Sequence, residues 1–396
     1  MAALSKLFRR PLVVWVPECL NGGKAECISP KCLCTPRVKE IRRIRNGNTE
    51  YVAPTPPSCS QYCSDNAPPT SNSLTAQWLE WTSIYSSLCE VLMQHLKVRR
   101  ALRIDHSVKF CMKLKNWTGS GQREGIADGK MLLLAQNEIG QIIGRRLTRS
   151  ENNEETEELL RSVAHSFQPA TSNGDLFVVS DDASSVRNMV HRVFQDRVST
   201  KQDPFHVIQR ITTKVKVAKR KWIAKELKAA IYTVDREMRP TQEMKSAFRH
   251  VVERLSLDDV RCSVSEWRGC YESNLGQIRR GDLFVQESVY KEGGKAVRVV
   301  STSQLEGFHS ALKKLVVRQV SAALGLRILD VFIVRHNLRV GAEFGRNVNV
   351  GDLDFISLSH AALLSHGAVD ESPQLEFALN MISRWTNGFE FLKALE

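Results

Sequence analysis

The amino-acid sequence predicts an α/β protein, with a sheet flanked by helices behind a small cysteine-rich appendage. Three observations carry that expectation. From residue 101 to 194, apolar runs of strand length alternate with amphipathic runs of helix length, in the order strand, strand, strand, helix, strand, helix. Six of the ten cysteines fall within the first 63 residues, and "SDNAPPTSNSL" (64–74) then changes the composition to Pro, Ser and Asn, as a linker would. A chain of 396 residues with 42% hydrophobic content can bury a core, which excludes a disordered protein.

Taken from the N-terminus, the cysteines come first. Cys27-x4-Cys32 and Cys59-x3-Cys63 can offer four thiolates to a tetrahedral Zn2+, with Cys19 and Cys34 left outside. A decayed site and unrelated cysteines are the alternatives. A zinc site requires the intervening segment to return as a hairpin with its turn at Asn46–Asn48, so that Arg42, Arg43 and Arg45 lie on a strand or turn within reach of phosphates. Residues 75–100 have helical spacing without a breaker and read as one helix, so 64–100 is linker and helix.

"ALRIDHSVKFCMKLK" (101–115) reads as a strand interrupted by Asp105. Residues 130–150 give a hairpin turning at Asn137–Gly140, and 152–167 an acidic helix. Residues 175–194 are a buried strand ending in Asp181 and Asp182, then a helix. That order is the core of a ribonuclease H-like mixed sheet, which carries one acid on its first strand and another at the end of its fourth. Asp105 and Asp181 hold those places.

Glu306 in "STSQLEGFHSALKKL" (301–315) is the candidate third acid. Leu305, Phe308, Leu312 and Leu315 form one apolar helical face, and Ser303 with Glu306 also fits a capping box. Three carboxylates suit a pair of divalent cations, Mg2+ or Mn2+, which can activate an attacking oxygen and stabilise a leaving one. Each acid also has a plainer reading: Asp105 as an edge-strand residue, Asp181 or Asp182 as a helix N-cap, Glu306 as the capping-box partner.

The formal net charge is +13, which favours a polyanionic partner. Residues 210–230 carry eight Lys or Arg against one Glu, with Trp222 and Ile223 among them. A solvated helix face explains such a run; a phosphate-contacting helix using Lys216, Lys219, Arg220 and Lys221 also does. Apolar runs such as "LVVWV" are too short to cross a bilayer and no secretion leader is visible, so a protein neither membrane-embedded nor secreted is expected.

At these residues the sequence resembles the eukaryotic cut-and-paste DNA transposases that use an Asp-Asp-Glu triad, and their domesticated relatives. "LRIDHSVKF" is similar to the family's first-Asp strand, "VVSDDASSVRN" to its second-Asp strand and "STSQLEGFHSALKK" to the segment holding its Glu. "DPFH" (203–206) matches the Asp/Cys-x-x-His signature between the second Asp and the Glu. "VFIVRHN" (331–337) resembles a stretch ending in Trp-Asn, with His336 in place of the Trp. The cysteine segment resembles one found in front of such enzymes, where it is taken to bind zinc.

The resemblance implies metal-dependent cleavage and strand transfer of DNA, with Asp105, Asp181 and Glu306 catalytic on Mg2+ or Mn2+. Asp182, Asp203 and His206 would support them from outside the metal shell. It also implies a ribonuclease H-like domain over 101–345 with a helical insertion at about 207–300, a C-terminal helical tail at 346–396, transposon-end and target DNA as partners, a possible homo-oligomer and a nuclear location. Two departures stand out: Ala183 and Ser184 lie where the family often has cysteines, and the stretch 64–100 is short. A catalytically silent nuclear DNA-binding protein and a zinc-dependent interaction scaffold are the competing readings.

Overall fold

A computed structural model describes residues 41–46, 49–54, 71–117, 123–168, 175–351, 354–356 and 380. The six N-terminal cysteines, and with them the zinc site, lie outside the described residues, as does nearly all of the tail expected from 357 onward. The chain divides into two compact units, Met1–Thr82 and Ser83–Glu396.

In the first unit, β1 (Ile41–Asn46) pairs antiparallel with β2 (Thr49–Pro54), and Asn46 opposite Thr49 leaves a two-residue connection at Gly47-Asn48. The hairpin and its turn therefore fall where expected, and Arg42, Arg43 and Arg45 are on β1. Helix α1 spans Ser71–Trp81. The single helix expected over 75–100 is two: it stops at Thr82, whose hydroxyl donates back to the Trp78 carbonyl at 2.6 Å, and α2 begins anew over Ile84–His95.

The second unit is built on a five-stranded sheet. Its first strand is β3 (Ala101–Ser107), which is shorter than the strand expected to reach residue 115. Ser107 pairs with Leu132 one residue from the end of the neighbouring strand, so the ladder runs out and the chain turns into a short helix, α3 (Val108–Cys111). Two outlying strands, β4 (Leu114–Trp117) and β5 (Arg123–Gly125), belong to a separate three-stranded sheet whose third strand is Val320–Ser321. The hairpin β6 (Met131–Gln136) and β7 (Ile142–Thr148) follows as expected. Its turn contains Gly140 at φ +108°, a conformation open to glycine at little cost.

Helix α4 (Asn153–Val163) is capped by Asn152, whose side chain accepts from the Glu155 amide at 2.8 Å. Then come β8 (Leu176–Ser180), α5 (Ala183–Phe194) and a strand the sequence reading did not find, β9 (Val198–Gln202). Only five residues of mixed polarity, "VSTKQ", form β9, too few for a periodicity to register. The sheet order is β7-β6-β3-β8-β9, antiparallel from β7 to β3 and parallel from β3 to β9.

The pleat divides the sheet's two faces cleanly. Leu102, Ile104, Leu133, Ala135 and Val178 pack with Leu159, Leu160 and Val163 of α4 and Val186, Met189, Val190 and Phe194 of α5. Gly144 lets α4 come close, because a Cβ there would sit 2.7 Å from Val163. The opposite face holds Ala101, Phe177 and Val179 against Met238, Val285, Val299 and Val300.

Residues 204–298, which cover most of the stretch expected as a helical insertion at about 207–300, are four helices and a hairpin. Helices α6 (Pro204–Lys214), α7 (Val217–Ile231), α8 (Thr241–Glu253) and α9 (Val264–Arg279) enclose a core of their own, including Ile211, Ile223, Leu227, Phe248 and Leu275. The basic stretch 210–230 is thus two helices. Val215, fully buried, takes an extended backbone to bridge Val260, and this breaks the helix before Lys216. A hairpin, β10 (Val289–Glu292) and β11 (Lys295–Arg298), closes the insertion around Gly293-Gly294, a turn signal left unread.

Helix α10 (Ser303–Leu315), the two-residue strand β12 (Val320–Ser321) and helix α11 (Ala322–Glu343) complete the unit. Helix α11 clamps the β6–β7 turn through the motif noticed at 331–337. The Asn337 side chain both donates to the carbonyl and accepts from the amide of Ile142, each at 2.7 Å, and His336 Nε2 lies 2.8 Å from the Gly140 carbonyl. Asn337→Ala strands both buried backbone groups and is expected to cost about 2–3 kcal/mol. Chemical denaturation measures it, and a loss below about 1 kcal/mol would refute the clamp.

Candidate active site

The parallel register of β3 and β8 places the two aspartates. Ala101, Leu102 and Arg103 pair with Phe177, Val178 and Val179. Continuing the same offset by two residues brings Asp105 opposite Asp181, one position beyond the end of β8. By strand parity both fall in step with Ala101, Phe177 and Val179, at the end of the sheet where β8 gives way to α5. A cleft of about 150 Å³ there takes its walls from Asp105, His106, Asp181 and Asp182 together with Thr156 of α4 and Val186 of α5.

Charge ties Glu306 to this pair. The Asp105 carboxyl is pushed up to about 7, first by burial and then by the negative charges of Asp181 and Glu306. Its side chain is 19% exposed. Glu306 lies on the first turn of α10, outside the walls of that cleft, and its carboxylate is 3.0 Å from His206 Nε2. The capping box, the plainer reading of Glu306, does not form. Thr302, not Ser303, is the residue before the helix, because Asp203 holds Thr302 by its amide and its hydroxyl, each at 2.7 Å.

The four residues of "DPFH" therefore have separable tasks. Asp203 caps α6 by accepting from the Phe205 amide at 2.8 Å, and Pro204 at the first helical position needs no partner for the amide hydrogen it lacks. The other oxygen of Asp203 anchors Thr302, whose carbonyl accepts from the Glu306 amide at 3.0 Å. His206 reaches Glu306 directly. Asp203 is also tied to the second-Asp strand, since its amide donates to the Ser180 carbonyl at 3.1 Å.

Asp181 is steadied through its backbone. Gln202 Nε2 and an Arg210 guanidinium nitrogen both donate to its carbonyl, and Gln202 Oε1 accepts from the Ala183 amide at 2.9 Å. Asp182 takes the plainer of its two roles, accepting from the Ser184 amide at 3.2 Å as the cap of α5.

His309 escaped the sequence reading. It is buried on α10 with Nε2 at 3.6 Å from Asp105 Oδ2, and both ring nitrogens lack a hydrogen bond within the protein. Burial pulls its pKa down to about 4, so it faces Asp105 as a neutral imidazole. The signal was present, since Glu306 and His309 are three residues apart and share one helical face. Two residues before Asp105 on the same face, Arg103 is wholly buried and donates to the carbonyls of Asn137 and Arg298, both at 2.8 Å, and to Gln304 Oε1 at 3.1 Å. This links α10 to the sheet.

Carboxylate oxygens that repel one another suit a hard divalent cation. As they stand, no group of three His, Cys, Asp or Glu side chains able to hold a metal ion occurs among the described residues, and Glu306 is engaged by His206. Of the basic residues expected to meet DNA, Lys216 and Lys221 are exposed, Lys219 lies 3.8 Å from Asp259, and Arg220 turns its Nε to the Val215 carbonyl at 3.0 Å. No helix among the described residues is long and apolar enough to cross a membrane. No protein-family model matches this chain, and no curated protein matches it.

Proposed function

We propose that this chain is a metal-dependent phosphodiester-cleaving and strand-transferring protein of the Asp-Asp-Glu transposase kind, acting on DNA. The observation that carries the reading is that Asp181 and Glu306 both lie near enough in charge to raise the Asp105 pKa, with Asp105 and Asp181 in line across adjacent parallel strands when their register is continued. The order β7-β6-β3-β8-β9 supports reading the sheet as ribonuclease H-like, with Asp105 on β3, Asp181 just after β8 and Glu306 on α10.

Asp105, Asp181 and Glu306 would hold Mg2+ or Mn2+, which when bound supplies charge stabilisation at the attacking and leaving oxygens. The rest of the work is positioning. Gln202 and Arg210 fix the backbone of Asp181, Asp203 fixes the start of α10 through Thr302, and His206 orients Glu306 from outside the carboxylate set. His309, neutral, keeps water from one side of Asp105.

The test is cleavage of end-labelled duplex DNA by the full chain with Mn2+ or Mg2+, compared with Asp181→Asn. Loss of at least about 100-fold is expected, with Asp105→Asn/Asp181→Asn hardly worse, because residues acting as a unit are not additive. Cleavage that is indifferent to metal or to Asp181 refutes the reading. The engagement of Glu306 by His206 favours a second one, a silent DNA-binding protein, which predicts DNA binding with no cleavage under any metal.

A further inference from the structure

A basic hollow of about 470 Å³ lies at the C-terminal end of α7, apart from the acidic cleft. Lys225 and Lys228 contribute to it from one face of α7 and Tyr232 from the extended residue after it, and the following turn and the last residue of β11 add Arg236, Arg239 and Arg298. No acid lines it. Lys225, Lys228, Arg236 and Arg298 have no ion-pair partner among the described residues, while Arg239 is 3.7 Å from Glu243. The nearby Glu237 is occupied, accepting from the Ser288 hydroxyl at 2.9 Å. The Arg298 guanidinium lies over the Tyr232 ring at 5.1 Å.

One cation at a helix C-terminus is explained by the macrodipole. Five around a single hollow repel one another and need another cause. An aromatic ring stacked beneath a guanidinium, inside a ring of lysines and arginines, is the chemistry that grips a nucleic-acid strand: phosphates by charge, a base or sugar by the flat surface. The Arg298 carbonyl accepts from Arg103, two residues before Asp105, so the hollow and the acidic cleft share one rigid connection.

We infer that this hollow holds backbone phosphates of a DNA strand that extends beyond the acidic cleft. The inference rests on the reading that the chain acts on DNA, but not on catalysis. It is distinct from the basic run at 216–221, two of whose side chains the fold engages with Asp259 and a backbone carbonyl.

The test is fluorescence anisotropy of a labelled duplex with the full chain in EDTA, from about 50 to 200 mM salt. Lys225→Ala/Lys228→Ala, two exposed helix positions that leave the fold intact, should weaken binding at least about tenfold and lower the log–log salt slope by about 1.8, the value for two phosphates. Lys313→Ala/Lys314→Ala removes the same charge from exposed positions on α10 and should leave the slope near that of the parent. Arg298→Ala, which removes one cation, should lower the slope by about 0.9.

An unchanged slope in the Lys225/Lys228 variant overturns the inference, as does a parent that binds no DNA. Saturable binding of inorganic pyrophosphate that duplex DNA fails to displace also overturns it, by assigning the hollow to a small anion. A lowered slope in a protein that cleaves nothing with any metal sustains the hollow and sinks the catalytic reading alone.

Discussion

At pH 8 and without divalent metal, Asp105→Asn unfolds several degrees above the parent protein, and the difference shrinks towards pH 4. The native Asp105 carboxyl titrates near 7, against an ordinary value of 3.8. The folded state therefore keeps its proton where the unfolded chain has lost it. Stability linked to this group is fully present below about pH 4, declines as the pH rises, and is gone above about pH 7. Across that interval the loss is on the order of 4 kcal/mol, at 1.36 kcal/mol per pH unit. An amide cannot ionise and escapes it.

Mn2+ should stabilise the parent at pH 8 through mass action and leave the asparagine variant nearly unmoved, closing the gap. Differential scanning calorimetry at pH 4, 6 and 8, with and without metal, reads all of this. If the two proteins melt together at pH 8, the carboxylates are not a mutually repelling cluster and the proposed metal site loses its physical basis.

The second large effect is remote from the acids. Glu138 is fully buried in the β6–β7 turn, where one oxygen accepts from the amides of Arg99, Arg100 and Ala101 at 3.0, 3.2 and 3.3 Å, and so fixes the start of β3. Its charge is balanced by Arg346, which also binds Glu292 and the Lys97 carbonyl. Arg346→Ala takes away the cation bonded to that buried charge, leaving it the three amides and the field of buried Arg103, and should cost about 3–5 kcal/mol. Glu138→Gln in the same background should recover part of the loss, because the stranded charge is gone. Urea unfolding decides; a cost below about 1 kcal/mol would mean that water or another cation takes the place of Arg346. The residue stands just past the boundary expected at 345, so the domain draws on the chain beyond it.

Local patterns announced much of this protein. The apolar run before Asp181 could only be a strand buried on both faces, Asn137–Gly140 could only be a turn between strands, and Asp203-Pro204 opens a helix by capping and by a preset φ. Each depends on residues within a few positions of one another. The boundaries that differed moved for long-range reasons: β3 stops one residue short of the end of β6, and the basic stretch breaks because Val215 is needed in the core of helices α6 to α9.

The site divides along the same line. Composition and order marked Asp105, Asp181 and Glu306 as candidates, but their common electrostatic neighbourhood is a product of strand register and of the insertion folding back. Whether Glu306 caps its own helix or meets His206 was open in the sequence, since Ser303 could have been the cap. Asp203 decides it by taking both hydrogen-bond donors of Thr302, a partner 99 residues away. In the same way His309 becomes a neighbour of Asp105, and the cations of the hollow come together from α7, the turn after it and β11. Sequence spacing specifies which side chains share one element's face; which faces then meet is set by the burial of apolar surface from distant segments, and that is the part only the tertiary structure decided.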